Sequence, residues 1–115
     1  GQAKGEYTSA QSFILTTLTD AANIQWDLAT NQVAQVVLGG SRTLDAPSGQ
    51  VAGSTYILIV KQDGSGSRTL NTDASAYKFP GGTSPTLSTG ANAVDVLTFV
   101  SDGTSMYGVS QLNFS

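Results

Sequence analysis

Hydrophobic and polar residues alternate along most of this chain with the period of two that belongs to strands, and no window shows a convincing helical period. Ile24, Trp26 and Leu28 share one face of a strand predicted over Asn23–Leu28, opposite Asn23, Gln25 and Asp27. A strand over Gln32–Leu38 is apolar on both faces, which predicts a central strand or one covered by a partner. The strongest alternation lies in Ser54–Gln62, where Tyr56, Leu58 and Val60 oppose Ile57, Ile59 and Lys61. Asn92–Ser101 and Thr104–Ser110 follow, the second extendable through Gln111–Phe114. Shorter strands are predicted at Ser12–Leu18, Ser41–Asp45, Ser67–Asn71 and Tyr77–Phe79. Asp63-Gly64-Ser65-Gly66 and Asp102-Gly103 carry the turn chemistry of hairpins, since Asp-Gly supplies positive φ. These elements predict an all-β fold, an antiparallel β-sandwich for which a jelly roll is one form, as a single domain over residues 12–115. The polar, aperiodic residues 1–11 are expected to form an extended N-terminal arm.

One repeat stands out. Gly40-Ser41-Arg42-Thr43-Leu44 recurs as Gly66-Ser67-Arg68-Thr69-Leu70, each copy after a Gly-rich turn. It reads either as two equivalent strands with Leu inward or as local convergence in a biased composition.

Composition narrows function by exclusion. Charged residues are 11% of the 115, and Ser and Thr, about a quarter of the chain, take their place. A net charge of −3 with five dispersed basic residues argues against nucleic acid, whose binders cluster Lys and Arg. No apolar run reaches the roughly 18 residues of a membrane span. With neither Cys nor His, the chain lacks thiolate chemistry, the usual zinc ligands and the usual general base near neutral pH. Asp20, Asp45, Asp63, Asp73 and Asp102 sit at turn signals, where Asp caps its own backbone. Asp27 and Asp95 fall within strands, solvated on polar faces or, for Asp95, paired with an Arg. No Gly-x-Ser-x-Gly elbow, phosphate loop or calcium loop is present. The expectation is a protein that binds and does not catalyse, with no cofactor and no metal. Trp26 is assigned to the core, whereas Tyr77 and Phe79 are expected to be exposed and available to a partner.

The strings Val60-Lys61-Gln62-Asp63-Gly64-Ser65-Gly66-Ser67-Arg68-Thr69-Leu70 and Tyr77-Lys78-Phe79-Pro80-Gly81-Gly82, with Asn92–Phe99 and Tyr107-Gly108-Val109, resemble a β-rich module of bacteriophage structural proteins found in tail fibres and on virion surfaces. Leu38–Leu44 followed by Pro47 fits the same pattern, so the resemblance spans about four fifths of the chain, with residues 1–22 outside it. It implies a non-catalytic virion protein. For so short a chain it implies first a capsid decoration, or cement, protein that binds the major capsid protein and stabilises the head as a homo-oligomer, a trimer favoured. The alternative is a tail or tail-fibre module that recognises host-surface glycan. The virion is the expected location, the capsid surface ahead of the tail. Partner-binding candidates are Gln2, Lys4, Glu6 and Tyr7 on the arm and Tyr77 and Phe79 on the domain.

Overall fold

The structure, a computed structural model, describes residues 14–114. The arm and its candidates Gln2, Lys4, Glu6 and Tyr7 lie outside the described residues. Among the described residues nine strands form: β1 (Leu15–Thr17), β2 (Asn23–Ile24), β3 (Val33–Leu38), β4 (Arg42–Leu44), β5 (Thr55–Gln62), β6 (Leu70–Asn71), β7 (Tyr77–Lys78), β8 (Val94–Ser101) and β9 (Met106–Phe114). They make a six-stranded sheet of order β1-β3-β5-β8-β9-β7 and a three-stranded sheet of order β2-β4-β6.

The all-β, two-sheet sandwich forms as expected, but strand direction departs from an antiparallel or jelly-roll plan. β1, β3 and β5 are parallel neighbours, and so are β2, β4 and β6. The first half of the chain therefore winds back and forth between the sheets, each pass stacking on the one before. Backbone bonds knit the passes beyond the strands: the N–H of Leu18 donates to Gln35 O, that of Thr43 to Ala22 O, and that of Leu28 to Ser48 O. Among the described residues antiparallel pairing is confined to β5 with β8 and β8 with β9, and β7, parallel to β9, completes the large sheet.

This winding overturns the hairpin read at Asp63–Gly66. β5 is flanked by β3 and β8, so the chain leaving β5 has no free edge to return along and crosses to the small sheet as β6. The Asp63 carboxylate makes that corner, accepting the Ser65 and Gly66 N–H groups and the Arg68 guanidinium, whose Nη2 lies 3.1 Å from Oδ2. Only glycine suits position 66: φ is 69°, and a Cβ would sit 2.7 Å from Thr89 O. The Asp102-Gly103 hairpin joins β8 to β9 as read, with Asp102 Oδ1 accepting the Thr104 and Ser105 N–H groups.

The repeat is structural. Its copies are adjacent parallel strands, β4 and β6, with Leu44 and Leu70 both buried. Pairing is displaced by two residues, Arg42 opposite Leu70, which keeps both leucines inward because strand faces alternate with period two. Each arginine is clamped by a corner aspartate. Arg42 Nε and Nη2 reach Asp20 Oδ1 and Oδ2 at 2.7 and 3.0 Å. The guanidinium, with the Gly39 N–H, holds the Asp20 carboxyl below its ordinary range, and Arg68 does the same for Asp63.

The core lies between the sheets. Ile24, Trp26, Leu28, Leu44 and Leu70 face Ala34, Val36, Leu38, Leu58, Leu97 and Phe99. Trp26 is 1% exposed, as the alternation requires. Its ring meets Tyr56 and Phe99 edge-on at 6.5 and 5.8 Å, and its Nε1 donates to Asn31 O at 2.7 Å. Burying each such side chain contributes about 1.5–3 kcal/mol.

Candidate functional site

Of the two aromatic candidates on the described residues, the structure buries one and partly buries the other. Tyr77 is 5% exposed, a correction to the expectation of a surface pair. β7 runs parallel to β9 with Tyr77 opposite Met106, which faces the core, so the ring turns inward against Phe99 at 5.4 Å. Its hydroxyl donates to Asp45 O at 2.8 Å, and burial raises its pKa. Tyr77 is thus a pin between the sheets. Phe79 follows where β7 gives way to the Pro80–Gly82 turn, and it packs edge-on to Phe99 at 5.7 Å with part of its ring outside.

Lys78 and Phe79 form a ridge with a notch on either side. On one side is a polar notch of about 240 Å³, lined by Asp73, Ser75, Tyr77, Gly82 and Ser84 together with the ridge. Asp73 is the anionic member. Its N–H donates to Asn71 Oδ1 at 2.8 Å and its Oδ1 accepts the Ser84 hydroxyl at 2.6 Å, which leaves Oδ2 without a partner among the described residues. The notch offers an aromatic ring, a carboxylate, two hydroxyls and an ammonium within one small concavity. On the other side the lining is Pro80, Tyr107, Gly108 and Val109, predominantly apolar. Gly108 lets β9 lie close against the aromatic cluster: a Cβ there would stand 2.5 Å from Phe99 Cε1 and 3.0 Å from Phe79 Cε1. The Tyr107 hydroxyl donates to Asp102 Oδ2 at 2.9 Å, so its ring is held at the surface. That bond raises the Tyr107 pKa, while the Ser105 and Thr104 N–H groups and the Tyr107 hydroxyl hold Asp102 below the ordinary carboxylate range.

Asp73, Lys78, Ser84 and Tyr107 did not figure among the residues expected to bind. Tyr107 was legible, since it alternates with the buried Met106 and Gly108 and so had to face outward. Asp73 and Ser84 are eleven residues apart in loop-like sequence, and no pattern announces their meeting. Asp95, expected to be solvated or paired with an Arg, does neither: it is 2% exposed and accepts the backbone N–H groups of Ser88 and Asn113 at 2.6 and 2.8 Å. Among the described residues no group of three or more acidic side chains is placed to hold a metal.

No curated protein and no solved structure matches the chain. A family model described as "Putative phage tail fibre C-terminal domain" matches residues 10–106. That span takes in the winding strands, the Lys78–Phe79 ridge and the residues of the polar notch, so the chain belongs to this family of phage tail fibre C-terminal domains and is a structural module of the phage virion.

Proposed function

We propose that this chain works at the phage tail, where it recognises host-surface carbohydrate by binding it in the polar notch beside Phe79 and leaving it chemically unchanged. The notch's composition carries the reading. A partly exposed aromatic ring receives the apolar face of a sugar, while Asp73, Lys78, Ser75 and Ser84 supply the few placed polar groups that fix a hydroxylated ligand. Binding without reaction is supported by the carboxylates. Hydrolysis of a glycosidic bond uses two of them, one with a raised pKa. The notch lining has only Asp73, and Asp20, Asp45, Asp63 and Asp102 are all shifted downward by the groups they bond.

The capsid-decoration reading rested on a short chain and an N-terminal arm. The family is described by its place in the tail fibre, so shortness loses its weight, and the arm lies outside the described residues. The tail is therefore the preferred location.

Two measurements test this. Labelled antibody against the chain should decorate the tails of purified particles; label spread over the heads would return the chain to the capsid. Isothermal titration with polysaccharide from the host surface should show binding that falls about tenfold or more in Asp73→Ala and in Lys78→Ala, the worth of one hydrogen bond to a charged group. Both positions are exposed, so melting temperature should hold. Undiminished affinity in both variants would remove the notch from recognition.

A further inference from the structure

We infer that the polar notch is one end of a longer binding seam, and that its ligand is a polysaccharide segment of two or more linked sugar units. The inference rests on the notch being a carbohydrate site. Residues 68–75 and 82–89 run side by side in opposite directions, aligned by three ties. The Ser67 N–H donates to Thr89 O at 2.7 Å. Gln62 Nε2 donates to both Arg68 O and Ser88 O, at 2.7 and 2.9 Å. The Ser84 hydroxyl donates to Asp73 Oδ1 at 2.6 Å. The seam between the two segments opens twice. The polar notch lies at the Asp73–Ser84 tie. A second concavity of about 210 Å³ lies further along, where Arg68, Thr69 and Leu70 meet Thr86, Leu87 and Thr89. Ser84 lines the first and Pro85 the second, so one step of the chain separates them.

The second opening has the chemistry of a further sugar subsite. Asp63 holds the Arg68 guanidinium through Nε and Nη2 at 3.4 and 3.1 Å. Nη1 is left without a partner among the described residues, and a donor already fixed in place loses little freedom on binding. The hydroxyls of Thr69, Thr86 and Thr89 likewise have no partner among the described residues. Leu70 and Leu87 are buried and give the opening an apolar floor. A few placed polar groups over apolar surface is the composition of a small-ligand site. The loop wall is preformed, because Ser88 donates its N–H to the buried Asp95 and accepts from the buried Gln62. Size calls for a linked ligand. Each opening falls below the roughly 300 Å³ at which ligand pockets begin, and the two together exceed it. Once one unit sits in the notch, binding of the next is intramolecular, so two weak subsites add up to a usable affinity.

Isothermal titration with host-surface polysaccharide cut to graded lengths tests it. Fragments of two or more units should bind about tenfold or more tighter than single units. Thr86→Trp fills the second opening from an exposed position and leaves the Asp63–Arg68 corner intact. It should abolish the gain with length while single units bind as before and the melting temperature holds. Should the tryptophan disturb the loop, Thr69→Trp enters the same opening from the opposite wall, also from an exposed position, with the same expected result. Equal affinity at every length in the wild type overturns the inference, as does a full gain with length in a folded tryptophan variant. In both cases the notch itself stands as long as Asp73→Ala weakens the binding of single units. If Asp73→Ala changes binding at no length, the notch fails as a carbohydrate site and this inference falls with it.

Discussion

The two sheets share a core but turn opposite characters outward. On the small sheet the outward row is Asn23, Thr43 and Asn71, one residue from each winding pass. Beside it Asp45 accepts the side-chain amides of Asn23 and Gln25 at 2.9 and 2.6 Å, and these bonds hold its carboxyl below the ordinary range. On the large sheet the outward rows are mostly Val, Ile and Thr, with Gln35, Lys61 and Gln111 among them. Both are laid down by the same chain as it passes between the sheets, so the difference is local and repeated at every pass. Sheets exposed to water on one side alternate apolar and polar, whereas strands covered on both faces do not. The small sheet follows the first pattern, and the large sheet departs from it, with Val and Ile outnumbering the polar residues on its outer side. The chain thus turns a polar face and a mostly aliphatic face outward on opposite sides of one core.

The large sheet also reverses the usual order within itself. Lys61, Val94 and Val96 face outward, while their neighbours Gln62 and Asp95 face inward and are 4 and 2% exposed. These two polar residues close one end of the core. Gln62 donates to Arg68 O and Ser88 O and accepts the Arg68 N–H, while Asp95 takes the N–H groups of Ser88 and Asn113. Together they fasten the loop around Ser88 and the kinked end of β9, where Asn113 has a φ of 61°. The largest effect should therefore come from inside the large sheet. Asp95→Ala strands two N–H groups at part-buried positions, and a lost partner costs about 1–3 kcal/mol for each buried donor. We expect about 3 kcal/mol by urea denaturation and a fall in melting temperature on the order of 10 °C. A loss below about 1 kcal/mol would mean that water serves these donors and that the inner face is less dry than its burial implies.

Much of the core was legible and little of its connectivity was. Trp26, Leu44, Leu58 and Phe99 fall inward because alternation with period two decides it, and the Asp102-Gly103 hairpin follows from turn chemistry that acts over four residues. Whether an Asp-Gly turn reverses a strand or sends it to another sheet depends on which neighbouring edges are already occupied. Asp63-Gly64 could not reveal that, because β3 and β8 are distant in sequence. Tyr77 misled for a related reason. Its two-residue strand carries no periodicity of its own, and its facing is set by Met106 across the ladder. The apolarity of both faces of β3 was visible, and the structure resolves it into a central strand whose outer side stays uncovered, with Val37 43% exposed.

A smaller effect should follow from cutting the tie between the sheets. The Tyr77 hydroxyl spans from the large sheet to Asp45 O on the small one, so Tyr77→Phe removes that bond and leaves the carbonyl short of a donor, at about 1 kcal/mol. The same hydroxyl makes stability depend on alkaline pH. Its folded pKa is raised, chiefly by burial, so the folded state favours the neutral phenol. That contribution is fully present below the ordinary tyrosine value of about 10 and is lost as pH rises from there toward the folded value. Melting temperature should fall above about pH 10 in the wild type and fall less in Tyr77→Phe. Parallel curves for the two proteins would assign the alkaline limit to other groups.

The smallest effect should come from exchanging the characters of the two outer faces one residue at a time. Thr43 sits mid-row on the polar face and is partly exposed, and Thr43→Val keeps its β-branched shape. Val100→Thr makes the reverse change on the apolar face. Surface substitutions away from special features stay within about 0.5 kcal/mol, so neither should move the chain's own unfolding midpoint when measured dilute. They should part company in the binding of an apolar dye. Val100→Thr should lower it, because it places a hydroxyl on the mostly aliphatic face. Thr43→Val should leave it unchanged, since one added methyl group amid Asn23, Asp45 and Asn71 makes no patch. If Thr43→Val instead raises dye binding as strongly as Val100→Thr lowers it, the polar row is itself part of an apolar surface, and the division between a polar face and an aliphatic face dissolves.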